Sequence, residues 1–169
     1  MTSRVARLIR HRLWDEADAH RALPADALAR LKDQVARSET RHSGEIRICV
    51  EAGLPMHYLW RRATARERAL ALFGKLRVWD TEHNNGVLIY LLLAEQRVEI
   101  VADRALAQRV TAAQWQRLVD GMSAAFRERR FEEGLGEAVA GVDELLFEYF
   151  PLAAGTPREN ELPDAPLVL

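Results

Sequence analysis

The chain has 169 residues, 49% of them hydrophobic and 29% charged, which is enough apolar material for one ordinary domain and excludes a wholly disordered chain. Its formal net charge is −1, so no global field recruits nucleic acid or an acidic membrane. The single cysteine, Cys49, excludes an intrachain disulfide and a CxxC zinc site, and no apolar run reaches the roughly 18 residues of a membrane-spanning helix. The N-terminus carries arginines but no apolar stretch before a small-residue cleavage site, so a cytoplasmic protein is expected.

Residues 1–22 form a basic N-terminal arm or helix. Val5, Leu8, Ile9 and Leu13 fall at helical spacing, with Arg4, Arg7, Arg10 and Arg12 elsewhere around the axis. The segment reads as a helix packed on the domain or a frayed end; the alternative is peripheral membrane contact or a partner helix. The domain proper spans 23–150. After Pro24, Leu28, Leu31 and Val35 make one apolar helix face, with Asp33, Arg37 and Glu39 read as solvated. Ile46, Ile48 and Val50 then alternate with Arg47, Cys49 and Glu51, a strand with one apolar and one more polar side. A helix is predicted over 57–76, with Trp60, Ala63, Leu70, Phe73 and Leu76 on its buried stripe. Val87 to Leu93 is continuously apolar, the mark of a strand buried on both faces at a sheet centre. Strand, helix, strand implies a crossover with the first two strands parallel, and the short break before the Val98–Ala102 strand allows only a hairpin. The fold class is therefore α/β, with helices on a small mixed sheet. A turn near Leu106 follows. A helix opened by a Thr111/Gln114 capping box comes next, with Trp115, Leu118, Val119, Met122 and Phe126 inward. The last helix covers about 132–150. Residues 151–169, with four prolines, read as an extended tail whose deletion from Pro157 onward leaves the melting temperature nearly unchanged.

Chemistry concentrates at one end of the sheet. Asp80, Glu82 and Asn84 alternate as calcium ligands do. An EF-hand is excluded, because its glycine would be needed at Asn85 and its last glutamate falls on Leu91. A looser divalent site from Asp80, Glu82 and Asp103 stays open beside a plain polar loop in which Asn85-Gly86 supplies positive φ. In an antiparallel hairpin the start of the first strand faces the end of the second. Asn84 and Asn85 should therefore meet Asp103 and Arg104, with Glu45 at the same end. That is the amino end of the parallel pair, opposite the usual ligand crevice of open α/β sheets, so a polar rim without a deep catalytic pocket is expected. No GxSxG elbow or phosphate-binding loop occurs, the five histidines form no HxH or HExxH pair, and only His83 lies in the candidate rim.

The stretch "NNGVLIYLLLAEQRVEIVADR" (Asn84 to Arg104) resembles the signature of the TPM domain: an asparagine-glycine, an apolar strand, a short turn and an "R-x-(E/R)-I" strand. "FEEGLGEAVAGVDELL" after Phe126 resembles the family's ending, and the similarity covers roughly Leu23 to Phe150. The resemblance implies a compact α/β/α sandwich. It also implies a family in which some members are acid phosphatases, some bind calcium or another divalent ion, and some sit beside a membrane. Several family positions differ here. Only Asp15 or Asp18 could replace the acid before the first helix, Ala112 follows Val110-Thr111 where an aspartate often stands, and Ala125 replaces a proline. Fewer carboxylates weaken any hard-cation site. The expectation is a binding or accessory module with an unidentified protein partner, no nucleic acid and a degenerate site for Ca or Mg. The alternative is a weak metal-dependent acid phosphatase in which Arg104 holds a phosphate.

Overall fold

The computed structural model describes residues 4–153 and 155–169. In chain order its elements are α1 (Arg4–Arg12), α2 (Glu16–Ala22), α3 (Ala25–Ser38), β1 (Ile46–Glu51), α4 (Met56–Trp60) and α5 (Ala65–Lys75). They continue with β2 (Val87–Leu92), β3 (Arg97–Ala102), α6 (Arg104–Ala107), α7 (Ala112–Arg127), α8 (Phe131–Tyr149) and β4 (Leu167–Val168). The sheet order is β3-β2-β1-β4. β2 lies inside the sheet, parallel to β1 from Ile46↔Val87 to Glu51↔Leu92 and antiparallel to β3 from Val87↔Ala102 to Leu92↔Arg97. A single 3-10 turn closes the hairpin, with Gln96 at φ 49.

The period of two sorts the strand side chains into two cores. Ile46, Ile48, Val50, Val87, Ile89 and Leu91 face α3, α7 and α8 through Leu31, Val35, Phe126, Leu135, Val142 and Leu146. Cys49, Leu88, Tyr90 and Leu92 face α4 and α5 through Tyr58, Leu59, Ala69 and Leu72. Every residue of β2 is buried, so both faces of that strand are covered. Burying each large apolar side chain contributes about 1.5–3 kcal/mol, and two layers of helix are what an all-apolar strand requires. This is the three-layer α/β/α arrangement. Among the described residues no helix is long and apolar enough to cross a membrane.

Two segments differ from the sequence expectation. The helix over 57–76 is broken: Arg62 sits at φ 58, and Thr64 and Glu67 form a capping box that starts α5 afresh. The break resets the helical phase. α4 buries Tyr58 and Leu59 and α5 buries Ala65, Ala69 and Leu72, while Trp60 and Leu70 are exposed. The C-terminal segment is not a loose tail. Leu167 and Val168 pair in parallel with Cys49 and Val50, and the Ala52 and Leu169 amides donate to Leu169 and Val50 carbonyls at 3.0 and 2.8 Å. Leu162 is buried in the α5-side core, and the Arg47 guanidinium donates to the Pro163 carbonyl at 2.7 Å and to that of Ala165. Arg47, on the polar side of β1, is thus capped by backbone carbonyls rather than by water.

Candidate functional site

The hairpin brings the Asn84–Gly86 and Asp103–Arg104 segments together. The Asp103 amide donates to Gly86 O at 2.8 Å, the Ala105 amide to Asn84 O at 3.0 Å, and the Val87 amide to Glu45 O at 2.8 Å. Gly86 is needed for close approach: a Cβ there would lie 2.0 Å from Val78 O. The positive φ falls on Asn84, at 51, rather than on Asn85-Gly86. Asn84 Oδ1 accepts from the Arg104 guanidinium at 2.8 and 3.2 Å. Asp103 Oδ1 accepts from the Arg104 amide at 2.7 Å, and Asn85 Nδ2 donates to Ser43 Oγ at 3.1 Å. That leaves two oxygens, Asn85 Oδ1 and Asp103 Oδ2, buried without a hydrogen-bond partner. The other acids do not join them. Asp80 is paired with Arg77 at 2.5 Å, Glu82 offers its amide to Glu161 at 2.9 Å, and His83 is exposed. Among the described residues no group of three His, Cys, Asp or Glu side chains is arranged to hold a metal ion.

The Glu45 side chain turns the other way, into a buried carboxylate pair. Glu45 accepts from Arg158 and from the Glu161 and Leu162 amides at 3.3 and 3.1 Å. Glu39, expected to be solvated, is buried. It accepts from the Ile46 amide at 2.8 Å and from Arg158 at 3.2 Å. Burial, then the Glu45 charge, pushes the Glu39 carboxyl up to about 7, and burial raises Glu45 as well.

The family model of the TPM domain matches residues 17–145. The chain belongs to the TPM domain family. This TPM chain is also similar to a solved structure, the NMR structure of the BA42 protein from the psychrophilic bacterium Bizionia argentinensis. The identity is 25% and the TM-score 0.75, over 86% of this chain and 94% of that one. No curated protein matches.

Two further features of the TPM fold were not apparent from the sequence. Ser38, His42 and Asp143 meet at the end of α3: Ser38 Oγ lies 2.9 Å from both His42 Nε2 and Asp143 Oδ1. In a nucleophilic triad the carboxylate would hold Nδ1–H. Here His42 Nδ1 reaches the Gly44 carbonyl at 3.1 Å, which can only accept, so Nδ1 carries the proton. The hydroxyl is buried and its single hydrogen is shared between imidazole and carboxylate, so the cluster ties α3 to α8 rather than attacking a substrate. The second feature is a groove of about 800 Å³ along the free edge of β3, lined by Val98, Ile100, Trp115, Val119 and Phe126. None of Asn84, Asn85, Asp103 or Arg104 lines it, although Ala102, next to Asp103, does.

The carboxylate pair gives a pH prediction. Glu39 is raised from 4.5 to about 7, so the folded chain holds more protons than the unfolded chain across that window, and stability falls as pH rises through it. Burial lowers His42 to about 4, which acts in the opposite sense below its usual value of 6.5. The difference between wild type and Glu39→Gln therefore cancels His42 and reports Glu39 with its coupling to Glu45. From pH 5 to pH 8 the variant is expected to gain on the order of 2–3 kcal/mol relative to wild type in urea unfolding. Parallel profiles would show that Glu39 does not titrate in this range.

Proposed function

We propose that this TPM-domain chain is a cytoplasmic binding or accessory module whose rim is a degenerate divalent-cation site. The site would be built on Asp103 and the Asn85 side-chain oxygen, with Asn84 and Arg104 at its edge. The supporting observation is the pair of buried oxygens, Asp103 Oδ2 and Asn85 Oδ1, which no protein donor satisfies. Buried polar atoms are normally partnered, and a carboxylate or amide oxygen left without a donor is one that a hard cation such as Ca²⁺ or Mg²⁺ accepts. The same residues fit only a weak site, since one carboxylate replaces the several that a tight one uses. The rim residues do not line the groove along β3, which supports binding over turnover.

Calorimetric titration of the purified chain tests this function. Ca²⁺ is expected to bind with a dissociation constant on the order of 10⁻⁴–10⁻³ M, the range of loose calcium modules, and Mg²⁺ more weakly. Asp103→Asn keeps a capping oxygen for α6 but removes the charge, and should abolish binding without unfolding the chain. Binding that survives in Asp103→Asn would move the site elsewhere. Ca²⁺-dependent hydrolysis of a phosphomonoester that disappears in Arg104→Gln would replace the binding module with a phosphatase.

A further inference from the structure

We infer that α1 and α4 together form a docking surface for an anionic lipid bilayer. This surface is independent of the rim.

α1 is attached to the domain by its polar side. Arg7 donates to Glu95 at 2.9 Å and to the Ala63 carbonyl at 2.7 Å. His11 Nδ1 accepts the Leu54 amide at 3.0 Å, so its Nε2 carries the proton and donates to Glu95, also at 3.0 Å. Leu8 packs into the α5-side core. These contacts turn the apolar stripe outward: Val5, Ile9 and Leu13, at i, i+4 and i+8, are 63%, 53% and 73% exposed. An amphipathic helix on a globular domain normally buries that stripe. Here it is the polar side that is fixed, by an ion pair and two hydrogen bonds to backbone.

The anchors also place a second element alongside. Ala63 follows α4 and Leu54 precedes it, so α1 runs beside α4. α4 exposes Met56 and Trp60, the latter 75% exposed. Five of the nine large apolar side chains exposed among the described residues therefore lie on or beside these two short helices.

Charge decides the occupant. No acid occurs between Arg4 and Trp14 or between Ala52 and Ala65. In those stretches stand Arg4, Arg10 and Arg12 on α1 and Arg61 and Arg62 after α4. Glu95, the acid beneath, is held by Arg7 and His11. A chain with a net charge of −1 has thus gathered five arginines beside the exposed apolar side chains of these two helices, of which Arg61 also neighbours Glu67 and stacks on the Tyr58 ring. Arg10 and Arg12 flank the Val5–Ile9–Leu13 stripe on its two sides. That is the arrangement of an interfacial helix, which sinks its apolar face to the acyl boundary while arginines reach the headgroups. A protein groove would cover the stripe but would not need cations on both flanks.

The test uses the full chain and co-sedimentation with vesicles of phosphatidylcholine, alone or mixed with phosphatidylglycerol. Binding is expected to the anionic vesicles, at least tenfold weaker to phosphatidylcholine alone, and to fall with salt. Ile9→Asp and Trp60→Ala should each reduce it at least tenfold while leaving the thermal midpoint unchanged, since both residues are exposed. Arg10→Gln and Arg12→Gln should each lower it about fivefold and flatten the salt dependence. Equal binding by Ile9→Asp and wild type, or no preference for anionic lipid, overturns the proposal. So does self-association in sedimentation velocity that Ile9→Asp removes while vesicle binding is absent, because that outcome makes the stripe a contact between two copies.

Discussion

Arg68→Ala is expected to cost about 3–5 kcal/mol, the penalty for removing one partner of a buried ion pair. Arg68 on α5 is buried and grips Glu51 of β1 in a bidentate pair, with Nε 2.9 Å from Oε2 and Nη2 2.5 Å from Oε1. Tyr90 of β2 donates to the same carboxylate at 2.6 Å, and the guanidinium also lies 4.9 Å from the centre of the Tyr58 ring. Burial and the adjacent Glu51 charge push the Tyr90 hydroxyl far up, so it remains a donor at every accessible pH. Remove the arginine, and Glu51 keeps a charge inside an apolar layer with one hydroxyl for company. For a chain of this size the thermal midpoint should drop by roughly 10 °C or more. The double variant Glu51→Gln/Arg68→Met isolates the cause, because a neutral amide with an apolar neighbour leaves no buried charge and should recover more than half of the loss. If the double variant is as unstable as Arg68→Ala, the loss comes mainly from packing of the Arg68 stem on Tyr58 and little from the unpaired charge.

The same residues show which parts of the fold could be read from sequence. The apolar run from Val87 to Leu93 specifies its own burial, since no other placement hides both faces of a strand, and a short break after it leaves only a hairpin. Those two facts place the sheet and bring Asn84–Gly86 to Asp103–Arg104. Period two at Ile46–Glu51 also separates the two faces of β1, but not what covers the polar one. Arg47 and Glu51 stand on that polar side, and both are buried by segments distant in sequence. Polar residues on an apolar stripe are the signal that finds the buried acids. Glu39 is four residues past Val35, and Asp143 four past Val139, so helix geometry turns both inward. Arg158 carries no such signal. Its position follows from ion pairs and a few backbone bonds, and neither has a period. The break after Trp60 is legible in principle, from the Thr64-x-x-Glu67 capping box inside what looks like one helix.

The C-terminal segment carries the second large effect. Deleting Pro157–Leu169 is expected to lower stability by about 3–5 kcal/mol or more, because it takes Arg158 away from the two buried carboxylates, Glu39 and Glu45, that it pairs with. It also strips β4 from β1 and leaves Arg47 without its two carbonyl acceptors. Arg158→Gln separates these contributions, since it leaves the strand and Leu162 in place. With the guanidinium gone, Glu39 and Glu45 face each other across a buried site, and each charge raises the other's pKa further. At pH 5 both can be neutral, and the substitution should then cost little. At pH 8 at least one must ionise without a counter-ion, so the loss measured by urea unfolding should be larger by about 2 kcal/mol or more, approaching the level of a buried unpaired charge. A loss that is the same at pH 5 and pH 8 would assign the effect of Arg158 to its hydrogen bonds with the Glu39 and Gly44 carbonyls, at 2.8 and 3.3 Å, rather than to charge. A deletion variant that melts with the wild type would show that β1 keeps its polar side dry without β4.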